Sequence, residues 1–286
     1  MERLYRFGGV KVLFQNLPCD PGWPFWSWKL DPFSVKEGTA DITVGYSGQR
    51  VLPEGSPLWE DAGAAVIRQV YSVADGGALW QQTAADSGEL QLQYVVSADW
   101  RKITLTCDNS QTAGVGAFEA LTFLIFYAFL RQQVLTFHGA LVEEKGRGFL
   151  LCAPSGVGKT THARLWRDRK NALILNGDRA ACRKEQGRWV GFGTPWCGTS
   201  GEYLNRSVPL GAVVILKRGD ENRVTPASGL MLLSHVVYPV WDRKETEWML
   251  SLLDDFLETV PVLQMECTPD VSAVDVLYQA LEKLHI

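Results

Sequence analysis

The chain has 286 residues, of which 46% are hydrophobic and 21% charged, and its formal net charge is −4. These values are typical of a globular protein with room for two domains. Basic residues form no block along the chain, so the sequence gives no sign of a nucleic-acid partner.

The N-terminal part consists of short β-rich runs separated by turn residues. Its first 18 residues lack the apolar core and small-residue cleavage site of a secretory signal, so we expect no export. The patterns predict a β-rich domain over residues 1–115, with a role in substrate or partner binding. The predicted strands are 5–14, 40–46, 90–96 and 102–107, with turns at 8–9, 47–48 and 86–88.

One aromatic segment stands out in this domain. Residues 21–28, PGWPFWSW, carry three tryptophans and a phenylalanine beside two prolines. An aromatic groove for a peptide is one interpretation. A loop that packs over its own domain as a small core is the other, and it is the one we favour.

From residue 116 onward, strands alternate with helices, which predicts an α/β domain over residues 116–286. The apolar stretch 120–130 is about half the length needed to span a bilayer, so we expect a buried helix and no membrane partner. The predicted helices are 117–132, 161–167, 227–238, 244–258 and 270–284. The predicted strands are 135–142, 148–152, 172–175, 180–183, 188–192, 211–216 and 261–266.

A glycine-rich turn joins strand 148–152 to the helix that follows it. Residues 153–160, APSGVGKT, match the phosphate-binding pattern GxxxxGK[ST] except at the first position, where alanine replaces glycine. Backbone amides of such a turn surround phosphate at a helix N-terminus. Lys159 is expected to bridge the terminal phosphates and Thr160 to ligate Mg²⁺. The predicted nucleotide-binding residues are Ser155, Gly156, Val157, Gly158, Lys159, Thr160 and Thr161.

A carboxylate follows at a short distance along the chain. Asp178 lies 19 residues after Lys159, at the end of the next predicted strand, where it can approach Mg²⁺ held by Thr160. The alternative is a structural aspartate that caps a turn. Neither the NKxD motif of small GTPases nor the LSGGQ motif of transport ATPases occurs in the sequence.

Over residues 133–217 the sequence resembles the catalytic domain of HPr kinase/phosphorylase and, more distantly, ATP-dependent phosphoenolpyruvate carboxykinase. The matching residues are His138 to Val142, Gly148 to Thr160, Gly177-Asp178-Arg179, and Arg206. The whole chain is most similar to HPr-kinase-like proteins found with bacterial peptide-maturation systems. The resemblance implies a P-loop kinase-like domain that follows a small β-rich domain in the sequence, with ATP or GTP and Mg²⁺ as cofactors. It also places His138 near the phosphoryl donor and Asp178 on the metal.

One departure concerns the catalytic base. HPr kinases carry two consecutive aspartates at the positions of 177 and 178, and the first serves as base for the acceptor serine, whereas this chain has Gly177. His138, Asp178 and Glu202 are the three residues that could substitute. His138 fits a core histidine bonded to a backbone carbonyl equally well.

Residues 191–207, GFGTPWCGTSGEYLNRS, have the composition of a lid. Trp196 is expected to supply an apolar cover, Glu202 a further Mg²⁺ ligand, and Arg206 a cation that pairs with the transferring phosphoryl group. A surface connector with Trp196 anchored in the core is the alternative.

Two functions fit these features. The first is a cytoplasmic kinase that transfers the γ-phosphoryl group of ATP to a Ser/Thr hydroxyl of a peptide or small protein, with His138, Lys159, Asp178 and Arg206 as its catalytic residues. The second is a nucleotide-binding module, catalytically weak or inactive, that holds a peptide or protein partner. The six cysteines contain no CxxC pair, which is typical of reduced thiols in the cytoplasm.

Overall fold

The computed structural model describes residues 2–17, 23–108 and 114–284, and it divides into two compact units. The first unit comprises Met1–Arg6, Val10–Gln132 and Pro239–Arg243. The second comprises Phe7–Gly9, Gln133–Tyr238 and Lys244–Ile286.

The β-rich N-terminal region predicted from the sequence is present as an eight-stranded mixed sheet with the order β1-β2-β3-β8-β7-β6-β5-β4. Strands β4 to β8 form an antiparallel meander, and β3 lies parallel to both β2 and β8. The strands are β1 (Glu2–Phe7), β2 (Val10–Gln15), β3 (Ile42–Tyr46), β4 (Trp59–Ala62), β5 (Val66–Ser72), β6 (Ala78–Ala84), β7 (Leu90–Val96) and β8 (Lys102–Asp108).

The aromatic segment forms a helix and is not a loop. Helix α1 (Trp23–Leu30) is followed by a 3₁₀ turn at Asp31–Phe33, while residues 21–22 lie outside the described residues. A proline close to the helix start is compatible with helical geometry, which explains why Pro24 does not prevent it. Trp26 is 3% exposed and packs edge-on against Phe118, whereas Trp28 is 64% exposed. Of the two tryptophans whose side chains the structure describes in this segment, Trp26 therefore contributes to the core and Trp28 does not.

Helix α2 (Val115–Arg131) is buried along most of its length and belongs to the first unit. The hydroxyl of Tyr94 donates to the carbonyl of Ala117 at 2.7 Å, and the ring of Trp100 meets that of Tyr127 edge-on. A helix that is apolar all round needs partners on every side. The main boundary between the two units therefore lies after Gln132, whereas the sequence predicted a boundary between residues 115 and 116. The assignment of functions to the domains stays a prediction.

The second unit is α/β, as predicted, and contains a mixed eight-stranded sheet with the order β10-β9-β12-β13-β14-β16-β15. Strand β10 also pairs with β14, and β11 pairs with β9. The strands are β9 (Val134–Glu144), β10 (Arg147–Cys152), β11 (Leu173–Asn176), β12 (Arg179–Glu185), β13 (Arg188–Phe192), β14 (Ser207–Arg218), β15 (Arg223–Pro226) and β16 (Val262–Cys267).

Three α-helices complete this unit: α3 (Lys159–Lys170), α4 (Arg243–Leu257) and α5 (Ser272–Lys283). Side chains of α3 and α5, among them Trp166 and Leu277, share one buried cluster with residues of β10, β14 and β16. These three strands run parallel, so their carboxyl ends open at the same edge of the sheet. That edge carries the glycine-rich turn.

The prediction of a helix over residues 227–238 was wrong. Only Gly229–His235 is helical, as a 3₁₀ segment, and β15 precedes it. After the 3₁₀ segment the chain is extended, and the amide of Val237 donates to the carbonyl of Thr136 in β9 at 2.9 Å. Two adjacent β-branched residues, Val236 and Val237, favour this extended backbone.

Among the described residues, no helix is both long and apolar enough to cross a membrane. Cys152, Cys182, Cys197 and Cys267 are free thiols. Cys19 and the side chain of Cys107 lie outside the described residues.

Candidate functional site

The glycine-rich turn lies between the end of β10 at Cys152 and the start of α3 at Lys159. Gly156 and Gly158 have φ of 78° and 125°, backbone conformations that favour glycine. Apart from the residues adjacent in the chain, no described heavy atom lies within 4 Å of the point where a β-carbon would stand on either glycine. The turn thus presents open backbone at a helix N-terminus, as an anion-binding loop requires.

The Lys159 side chain folds back across this turn. Its Nζ atom donates to the carbonyl oxygen of Ala153 at 2.8 Å, and the residue is only 7% exposed. Burial lowers the pKa of the Lys159 ammonium, and the negative charge of Asp178 opposes that shift. The cation is therefore held inside the loop and interacts electrostatically with the carboxylate.

Asp178 is paired with two cationic or hydrogen-bonding partners. Its Oδ1 atom lies 3.1 Å from Nε2 of His138, and its Oδ2 atom 3.2 Å from Nε of Arg179. Burial alone would raise the pKa of Asp178, but the hydrogen bond from His138 and the charges of Arg179, His138 and Lys159 outweigh burial, so the pKa lies below its ordinary value. Asp178 is an anion at neutral pH, the state needed to bind a cation.

Asn176 fixes the turn that presents Asp178, and the sequence analysis missed it. Its Oδ1 atom accepts hydrogen bonds from the amides of Asp178 (2.8 Å) and Arg179 (2.6 Å), while Nδ2 donates to the carbonyl of Thr194 (2.9 Å). Asparagine commonly caps a turn in this way. The capping role considered for Asp178 thus belongs to Asn176, and the Asp178 side chain is left for the site.

Gly177 is closely covered by the following loop. A β-carbon on Gly177 would lie 2.0 Å from Oγ and 2.6 Å from Cβ of Ser200. The Ser200 hydroxyl donates to the carbonyl of Cys197 at 2.5 Å, and the Gly177 amide donates to the carbonyl of Glu202 at 2.9 Å. The space that a side chain at position 177 would occupy is thus filled by a serine of another segment.

The structure does not bring Glu202 to the predicted metal site. Its Oε1 atom pairs with Arg164 at 3.2 Å and Arg167 at 2.9 Å, both on α3. Two guanidinium groups neutralise this carboxylate, which leaves it a poor candidate for Mg²⁺ in this conformation. The same contacts, with the Gly177 amide, anchor the segment predicted to be a mobile lid.

Arg206 is not brought to the phosphate loop either. Its Nε and Nη2 atoms form a bidentate pair with Glu143 of β9, at 2.8 and 2.9 Å. Glu143 is opposite Gly148 in the β9–β10 register, whereas Cys152 next to the loop is opposite Gly139. Four strand residues span about 13 Å. A contact between Arg206 and a transferring phosphoryl group therefore requires this ion pair to break.

Trp196 is anchored in the core, as the connector interpretation predicted, since it is 2% exposed. Its carbonyl accepts a hydrogen bond from Nδ2 of Asn176 at 3.2 Å. Trp196 is therefore a fixed point of the loop beside Asp178 and offers no apolar cover to a ligand in this conformation.

His235 lies close to the site, although no sequence motif includes it. Burial lowers the pKa of His235, and the charges of His138 and Lys159 lower it further. Its Nδ1 atom is buried without a hydrogen-bond partner among the described residues. The residue ends the 3₁₀ segment, and the isolated bridge between Val236 and Phe137 places it next to the strand that carries His138.

A cavity of about 660 Å³ borders the glycine-rich turn. Residues 156–158 form one wall, and the others come from α3 and from the carboxyl ends of β14 and β16. In open α/β sheets, ligands bind beyond the carboxyl ends of the strands. Arg218, at the end of β14, donates to the carbonyl oxygens of Gly156 and Val157 and so connects the cavity wall to the turn.

The donor set fits magnesium bound together with a nucleotide. Within the described residues, no group of three or more His, Cys, Asp or Glu side chains could hold a metal by itself. Mg²⁺ usually takes one or two protein ligands and completes its octahedron with phosphate oxygens and water. Asp178 and the hydroxyl of Thr160, in the first turn of α3, are the protein groups that suit this arrangement.

Residues 104–232, a little under half of the chain, match the sequence family described as "SynChlorMet cassette protein ScmC". No curated protein matches the chain. Among solved structures, the chain is similar to the Hpr(Ser) kinase/phosphatase from Coxiella burnetii, with 11% identity, a TM-score of 0.33, and coverage of 53% of this chain and 99% of that one. This overlap is too weak to carry an argument about fold or mechanism.

Proposed function

We propose that the protein is a Mg²⁺- and nucleotide-dependent phosphotransferase that transfers the γ-phosphoryl group of ATP to a Ser/Thr hydroxyl of a peptide or small protein. The observation that carries this proposal is the glycine-rich turn with the buried Lys159 cation at its centre, next to the ionised Asp178. The family match to a cassette protein supports a role beside other proteins of that cassette, and peptide modification is the role that we infer.

Each residue has a defined task in this proposal. The amides of the turn and the ammonium of Lys159 bind the phosphates and stabilise the charge that develops during transfer. Thr160 and Asp178 hold Mg²⁺, which supplies charge neutralisation between the phosphates. The cavity beside residues 156–158 takes the nucleoside, either adenosine or guanosine.

The acceptor hydroxyl needs a group that takes its proton. Gly177 offers none, but the next residue, Asp178, carries a carboxylate that is paired with His138. We assign proton acceptance to this pair as a unit, since His138 Nε2 and Asp178 Oδ1 share one hydrogen bond at 3.1 Å. Because transfer depends mostly on positioning and charge, a modest base suffices.

A second function, a nucleotide-binding module without turnover, is favoured by one observation. Ser200 fills the space in front of Gly177, where an acceptor's base would otherwise stand. In that case the nucleotide stabilises the fold, and the first unit holds a partner.

Transfer to peptides separates the two functions. Purified protein is incubated with Mg²⁺ and ATP and a pool of Ser- and Thr-containing peptides, and products are read by intact mass. A kinase adds one phosphate to a peptide, and the Lys159→Ala variant should not form this product. Lys102 is an exposed lysine on β8, so the Lys102→Ala control should still form it. Saturable nucleotide binding without hydrolysis or transfer would support the binding module.

A further inference from the structure

The short turn that carries the Ser200 hydroxyl lies against the carboxylate that the proposed site uses. Gly198 begins the 3₁₀ turn at Gly198–Ser200 and approaches Asp178 so closely that a β-carbon on Gly198 would lie 2.8 Å from Cγ of Asp178. Two residues later, Oγ of Ser200 fills the space in front of Gly177. One short turn thus covers both residues 177 and 178 and carries a primary hydroxyl.

The same serine also contacts the helix that begins at the phosphate loop. Nη2 of Arg164 donates to the carbonyl oxygen of Ser200 at 3.3 Å. Arg164 is five residues after Lys159 on α3, which corresponds to about 7.5 Å of helix rise. The turn that carries Ser200 is therefore held against Asp178 through Gly198 and against the phosphate-binding helix through Arg164.

We propose that Ser200 is a phosphoryl acceptor of the protein itself, so that the chain modifies its own loop in cis. This inference rests on the proposed function, because it uses the same nucleotide and metal site. Oγ of Ser200 forms a bond to the γ-phosphorus, the bond from that phosphorus to the β–γ bridging oxygen breaks, and the nucleoside diphosphate leaves with the electron pair. The hydroxyl proton passes to the His138–Asp178 pair, which accepts it as a unit in the proposed function.

The loop has features that suit both the attack and its product. The hydroxyl donates to the carbonyl of Cys197 and accepts a hydrogen bond from the amide of Glu202 at 3.2 Å, so rotation about the Cα–Cβ bond must release both contacts before the oxygen can attack. A phosphate on Ser200 carries nearly two negative charges and pairs best with guanidinium groups. Arg164 and Arg167 are both close to the loop, where they currently neutralise Glu202. The phosphorylated serine therefore competes with Glu202 for these arginines.

The experiment follows phosphate on the protein. Full-length protein is treated with a phosphatase, freed of it, and incubated with Mg²⁺ and ATP at several protein concentrations. Intact mass and fragmentation of the peptide that contains residues 198–202 locate the phosphate. Ser200→Ala is compared with Thr199→Ala, which removes the neighbouring exposed hydroxyl, and with Lys159→Ala.

We expect one phosphate on Ser200, formed with a first-order rate constant that does not depend on protein concentration. The amount of phosphate bound to the protein should fall at least about tenfold in Ser200→Ala and in Lys159→Ala, and it should be retained in Thr199→Ala. If ATP is hydrolysed or peptides are phosphorylated while Ser200 stays unmodified, the inference is wrong and the proposed function stands. If phosphate appears on Thr199, or with a rate proportional to protein concentration, the cis assignment to Ser200 is overturned. If no nucleotide is turned over at all, the proposed function falls and takes the inference with it.

Discussion

The hydroxyl oxygen of Ser200 lies 2.0 Å from the point where a β-carbon on Gly177 would stand. Real atoms do not approach so closely, so residue 177 must be glycine as long as the 198–202 segment keeps its place. This contact gives a structural reason for a glycine at position 177.

Gly177→Ala is expected to lower the free energy of unfolding by about 1–3 kcal/mol, because the new methyl group forces the loop away. Gly177→Ala combined with Ser200→Gly should recover most of that loss. Urea unfolding measures both. Gly45→Ala is the matched control, since its nearest neighbour would be at an ordinary 3.6 Å. A Gly177→Ala protein as stable as the wild type would mean that the 198–202 segment does not pack against Gly177.

We expect Arg206 to stabilise the folded protein through its ion pair with Glu143, and any role in phosphoryl transfer to be secondary. Glu143 is buried, and removal of Arg206 leaves its carboxylate unpaired, which should cost about 2 kcal/mol because the arginine side chain is itself half exposed. Arg206→Met with Glu143→Leu replaces the pair with apolar side chains and should restore stability. An Arg206→Ala variant with normal unfolding and a large loss of turnover would instead support the role of a phosphate-pairing cation.

His162 should make the protein sensitive to acid. Burial lowers its pKa from 6.5 to about 4, so between these values the unfolded chain binds a proton that the folded chain does not. Stability due to this group is therefore complete above pH 6.5 and falls with decreasing pH, by up to about 3 kcal/mol at pH 4. His162→Gln should flatten the dependence of the unfolding free energy on pH between 7 and 4.5. An unchanged slope would contradict the low pKa.

The two predicted carboxylate ligands should differ in their effect on magnesium. Asp178→Asn is expected to raise the Mg²⁺ concentration needed for half-maximal turnover by about tenfold or more. Glu202→Gln, which loosens the contacts to Arg164 and Arg167, should change it by less than about twofold and instead increase proteolysis within residues 198–204. If Glu202→Gln raised the required Mg²⁺ concentration and Asp178→Asn did not, Glu202 would be the metal ligand and Asp178 would not.

The sequence was most informative where the chemistry is local along the chain. The turn from Ala153 to Thr160 and the strand and helix on either side were predicted because a phosphate loop needs glycines and lysine at fixed spacing. Most of the strands of the second unit were likewise predicted within about two residues, since apolar runs mark buried strands.

The missed features depend on contacts between distant residues. Ser200 against Gly177, and Glu143 with Arg206, join segments that no motif connects. Strands β5 and β6 were not predicted because glutamines interrupt their apolar pattern: Gln81 of β6 is buried, and its Nε2 atom donates to Oε1 of the half-buried Gln69 of β5 at 3.2 Å. A buried amide that finds its hydrogen-bond partner on the neighbouring strand hides the apolar period of its own strand.

Calorimetric binding of Mg²⁺–ATP and Mg²⁺–GTP to the wild type, Lys159→Ala and Lys102→Ala tests the central claim most directly. If the turn between β10 and α3 is a nucleotide site, the wild type and Lys102→Ala bind one equivalent of nucleotide, and Lys159→Ala binds at least about tenfold more weakly because the buried cation is lost. Binding that is absent from the wild type, or unchanged in Lys159→Ala, would contradict the assignment of this turn as the phosphate site.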